Sequence, residues 1–150
     1  MRVEIQLKKL EVSTGYEIPD LKQVRNIRID INHSCQQPEL YSPTSLRSRH
    51  RISIAYYEEE GERRNEIGSV ECSVVAYITD ESPERIHQMY DIWSTQGYNS
   101  LPLDVRVAVE NTISLGMLPA VSVAAEKARL PPPVPPIAFS PRPSPEGLLR

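Results

Sequence analysis

The sequence predicts an α+β domain: a four-stranded antiparallel sheet followed by two or three helices packed on it. Three observations carry this reading. Apolar and polar residues alternate through much of the first 79 positions, the period changes to 3.6 beyond Thr79, and eight of the 14 prolines fall between residues 131 and 145. Strands first and helices afterwards is the order of an α+β fold, where a wound parallel sheet would interleave them. The domain is placed at residues 1–130 and a proline-rich tail at 131–150. A chain of 150 residues is long enough to bury about 70% of its unfolded surface in one core, with no need of a disulfide framework or a structural metal.

Val3, Ile5 and Leu7 alternate with Glu4 and Gln6, the pattern of a half-buried strand. Lys8 and Lys9 break that phase before Leu10 and Val12 resume it, so a bulge is expected there. Gly15, Pro19 and Asp20 mark a loop, which also carries Tyr16, Ile18 and Leu21 and therefore lies on something apolar. Ile27, Ile29 and Ile31 against Arg28 and Asp30 give a second strand with one wet face. Residues 32–48 are polar, punctuated by Pro38 and Pro43, and read as a connection. Ile52, Ile54 and Tyr56 form a third strand, and Val70, Cys72, Val74, Ala76 and Ile78 a long fourth. The charged segment around Gly61 turns one into the other, so the two pair antiparallel.

Ser82 and Pro83 are a cap and first-turn signal, and Ile86, Met89, Tyr90 and Trp93 then share one helical face up to Gly97. A second helix opens near Pro102, places Val105, Ala108, Val109 and Ile113 together, and ends at Gly116. A third starts near Pro119 with Val121, Ala124, Ala125 and Ala128 in register, a small-residue face suited to close packing. Beyond residue 130 the prolines remove the donors that helix or sheet would need. The segment is expected to be polyproline-like near the domain and disordered toward its end.

The net charge of −3 and pI of about 5.7 disfavour a nucleic-acid binder. No glycine-rich phosphate loop occurs, so nucleotide cofactors are not expected. The charged, alternating N-terminus is unlike a signal peptide. The apolar run at 111–125 is interrupted by Gly116 and Pro119, so no membrane span is expected. Two cysteines far apart suit a reducing, cytoplasmic setting. His33 with Cys35 and Cys72 is the best metal guess, set against a turn-side histidine and small buried cysteines. Arg47, Arg49 and Arg51 read either as an anion or RNA patch or as a solvated strand edge guarded by charge, the second favoured because no aromatic residue is interleaved with them. Glu58, Glu59 and Glu60, followed by Glu62, Arg63 and Arg64, fit a mixed-charge hairpin tip. Trp93 reads as core or oligomer interface, and the PPPVPP run offers frames for a proline-reading partner.

The stretch from Ser100 to Pro136 resembles the helical half of SecB-like protein-export chaperones. Leu101-Pro102 stands where that family has the Phe-Pro that opens a helix. Gly116-Met117-Leu118-Pro119 stands where it has a Gly-x-Phe-Pro turn. The strands ahead of it, with a long loop after the first, agree with the family's order. The chain departs from the family in its helix at 82–96 and in a proline-rich tail where the family has an acidic one. No residues match the acidic contacts for an export ATPase. The resemblance implies a non-enzymatic, ATP-independent holding chaperone without cofactors, a dimer or tetramer that keeps unfolded polypeptide clients in apolar grooves. Tyr16, Ile18, Leu21, Leu118 and Val121 would be client-binding, and the oligomer interface is expected at Ala124, Ala125 and Ala128. The alternative is an oligomeric adaptor whose proline tail docks one partner.

Overall fold

Two long antiparallel strands, β4 (Ser45–Glu60) and β5 (Arg63–Thr79), form the spine of the computed structural model, which describes residues 1–14, 26–131 and 133. Gly61 turns between them with φ 60°, the positive angle that a two-residue hairpin loop requires. On one side β1 (Arg2–Thr14) pairs with β5, and its register slips between Leu7 and Lys9, at the expected break in phase. On the other side β2 (Ile27–Cys35) pairs with β4 along Ile27 to Cys35, opposite Glu58 to His50. All pairings are antiparallel, in the order β1-β5-β4-β2.

The sheet has a fifth strand that the sequence reading missed. β3 (Glu39–Ser42) pairs with the start of β4, so the supposed polar connection at 32–48 is largely strand. Pro43 does punctuate the chain, but inside a tight reversal whose Thr44 amide donates to the Ser42 hydroxyl at 3.2 Å. Alternation there was masked by serines and arginines, although Leu46 is fully buried and Ser48 is 1% exposed.

Helix α1 (Pro83–Gln96) starts where expected: the Ser82 hydroxyl accepts from the Arg85 amide at 3.3 Å. It buries Ile86, Met89 and Trp93 and ends at Gly97, φ 95°. A short 3-10 turn, Tyr98–Ser100, leads to α2 (Leu103–Lys127), a single helix where two were expected. Gly116 does not stop it. A Cβ at Gly116 would stand 2.3 Å from Ile5 Cδ1, so glycine lets the helix lie close on β1. Pro119 denies a donor to the carbonyl of Leu115, a residue 68% exposed, where water can replace the lost bond. The helix ends instead at Arg129, whose φ is 59°, with the Leu130 amide donating to the Ala125 carbonyl at 2.8 Å. That is a Schellman cap, and the prolines that follow cannot continue a helix.

α2 carries a buried stripe, Val105, Val109, Ile113, Met117, Val121 and Ala125, against β1 and β5, while α1 meets β4. By length and composition this 25-residue helix, whose most apolar 18 residues have a mean hydropathy of 1.4, is apolar enough to cross a membrane. The expectation that Gly116 and Pro119 would interrupt it does not hold.

Candidate functional site

Because α2 lies over β1 and β5, the inner face of β2 is left partly uncovered. Ile27 and Ile29 are half-buried, and Ile31 is 47% exposed although it faces the same way as the core. The result is an apolar groove of about 240 Å³. Ile31, Ile52 and Ile54 make its floor, and Ile113, Met117 and Leu118 of α2 make its wall. Pro133 borders it as well, and its polar members are His33, Glu110 and Ser114. A second recess of about 320 Å³, lined by Cys35, Tyr98 and Asn99, shares His33 and Glu110 with the groove.

The shared end is a histidine pair. His33 Nε2 lies 2.8 Å from His50 Nδ1, and His50 Nε2 lies 2.6 Å from the Ser48 hydroxyl. The imidazoles stack 5.0 Å apart, with the Tyr98 ring edge-on to both. Glu110 Oε1 stands 3.9 Å from His33 Nδ1. Burial pushes His50 down to about 3, helped by the neighbouring His33, and burial also lowers His33 against the pull of Glu110. Both rings are therefore neutral at pH 7. Burial likewise raises the Cys35 thiol, which disfavours a reactive thiolate. Ser48 beside His50 has the spacing of a nucleophile and base. At 1% exposure, however, its hydroxyl is shut off from any substrate carbonyl.

His33 and Cys35 sit two apart on one strand face, but Cys72 is fully buried on β5, and no group of three metal-ligating side chains occurs among the described residues. On the outer face, Arg47 pairs with Glu39 at 2.5 Å and Arg51 with Glu71 at 2.6 Å. These arginines are not at an edge, since β4 lies between β5 on one side and β3 and β2 on the other; they are surface charges neutralised across strands. Trp93 is 2% exposed, packed 5.2 Å from Tyr98, and so belongs to the core.

Of the sequence-derived client residues, Leu118 lines the groove. Val121 is fully buried within the chain, on the sheet-facing stripe of α2 rather than in the lining of the groove. Ala125 is also fully buried within the chain, so a second copy could cover nothing more of it, whereas Ala124 and Ala128 are partly exposed. Tyr16, Ile18 and Leu21 lie outside the described residues. Sequence reasoning missed Ile31, Ile113, Met117, His33 and Glu110 as neighbours, because alternation shows which way a residue faces but not whether anything covers it.

No family model matches the chain, and no curated protein matches it. Among solved structures, the Mycobacterium tuberculosis SecB-like chaperone Rv1957, in complex with a ChAD peptide from the Rv1956 HigA1 antitoxin, superposes with a TM-score of 0.55. The identity is 10%, over 94% of this chain and 92% of that one. The chain thus has a SecB-like fold.

Proposed function

We propose that this protein is a non-enzymatic peptide binder, an ATP-independent holding chaperone that takes apolar segments of unfolded clients into the groove between β2, β4 and α2. The observation that supports it most is the open, apolar inner face at Ile31, beside a wall that includes the adaptable side chain of Met117. The fold neighbour is in complex with a peptide from another protein, which agrees with a peptide-sized occupant. Because that peptide comes from one antitoxin, a narrower reading is also supported, in which the protein is an adaptor for one defined partner.

The same proposal includes a homo-oligomer. Only 28% of the most apolar 18 residues of α2 are buried, and Leu103, Leu115 and Val123 are exposed on the side away from the sheet. A helix apolar all round is covered on every side in a working protein, and a second copy meeting Ala124 and Ala128 would do this. A mass near 17 kDa at every concentration would contradict it. The two free thiols fit a cytoplasmic setting.

Aggregation of several unrelated clients, followed by light scattering without ATP, tests the function. Wild type should delay it, and Ile31→Ser with Leu118→Ser should weaken the delay at an unchanged thermal midpoint. Protection of a single client would favour the adaptor. No protection of any client at stoichiometric excess would overturn the holding activity.

A further inference from the structure

The groove already has a segment of this chain at its mouth. Leu130 is 3% exposed and covers Gly68, which pairs with Tyr56, one step along the inner face from Ile54. Three residues later Pro133 is buried and borders the groove. From there the groove runs past Ile54 and Ile31 to Ile52 and His33, then to the recess beside Cys35 and Tyr98. The chain leaving Pro133 is therefore delivered at one end of an apolar channel.

What it delivers is apolar. Residues 130–141, LPPPVPPIAFSP, carry no charge and include Val134, Ile137 and the only Phe of the chain, Phe139. Pro135 and Pro136 lack donors, so this segment cannot add to the free edge of β2 as a strand and must bind through its side chains. A polyproline conformation is also already extended, which lowers the entropy lost on docking. Lengths agree. Glu110 to Leu118 on α2 spans about 12 Å at the rise of a helix. An extended proline-rich chain covers that in about four residues. An extended chain starting from Pro133 would bring position 137 to the histidine end and position 139 about 6 Å further, to the aromatic recess.

We infer that residues 134–139 occupy this groove as an intramolecular plug that incoming ligands must displace. This rests on the groove being a binding groove, yet its test is separate. A tether this short sets an effective concentration near millimolar, so even weak docking competes with a free ligand about tenfold.

Hydrogen exchange on the full chain tests it. The amides of Val134, Ile137, Ala138 and Phe139 should exchange at least about tenfold more slowly than those of residues 146–149, and Ile31→Glu should abolish the difference. Equal rates in wild type, or protection unchanged by Ile31→Glu, would overturn the plug. Protection that appears only as concentration rises would do so too, by assigning the tail to a second copy's groove. Should Ile31→Glu fail to fold, the tail variant Ile137→Asp with Phe139→Asp keeps the idea falsifiable. It should bind a fluorescent Val-Ile-Phe-rich peptide about tenfold more tightly than wild type, and equal affinity would count against the plug. A protected tail with no peptide bound by either form would remove the client reading and leave this inference standing.

Discussion

The inner face of the sheet is built from β-branched residues on both sides of β4, yet its two flanks end differently. On β5, Val70, Cys72 and Ile78 are fully buried. On β2, Ile27 and Ile29 are half-covered and Ile31 is 47% exposed. The difference comes from where α2 lies. Gly116 draws it onto β1 beside Ile5, and the β2 flank stays open. Equal strand patterns thus produce a core on one flank and a groove on the other.

The sharpest way to break that comparison is to make the same truncation on each flank. Ile78→Ala removes a fully buried side chain and should cost about 3–4 kcal/mol in urea denaturation, whereas Ile31→Ala should cost less than about 1 kcal/mol. Similar losses would mean that the β2 flank is packed as tightly as the β5 flank.

A second effect separates the flanks by charge. Below about pH 6.5 the unfolded chain binds a proton at His50 that the folded chain refuses until about pH 3. Stability should therefore fall as pH drops through that window, by about 2 kcal/mol between pH 6.5 and pH 5 at 1.36 kcal/mol per unit. The paired carboxylates of Asp30 and Glu39 are held below their ordinary range, so their contribution is lost only at lower pH. His50→Gln should flatten the midpoint between pH 7 and pH 5, and an unchanged slope would place the titration elsewhere.

The smallest effect tests why α2 sits where it does. Gly116→Ala gains helix propensity but pushes a methyl into Ile5, with a net cost of about 1–2 kcal/mol. Ile5→Val in the same chain should recover part of it. A stabilising Gly116→Ala would show that the close approach to β1 is not what seats the helix.

Much of the fold was legible locally. The bulge after Leu7, the Gly61 turn and the Ser82 cap each follow from side-chain chemistry that acts within a few residues. The errors arose where tertiary packing overrode a local signal. Gly116 and Pro119 read as helix breaks, but the first serves contact with Ile5 and the second sits above an exposed carbonyl. The polar run before Ser48 hid β3, since its outward side chains are paired across strands rather than apolar. The groove was least legible. His33 and His50 are 17 residues apart and meet only because Cys35 pairs with His50, while Glu110 arrives from α2.

Methyl NMR on isoleucine-labelled full-length protein, titrated with an apolar peptide, addresses the open flank most directly. Shifts are expected at Ile31, Ile52, Ile54 and Ile113, with Ile78 and Ile86 unmoved. Shifts spread evenly over all six, or none at saturating peptide, would contradict it.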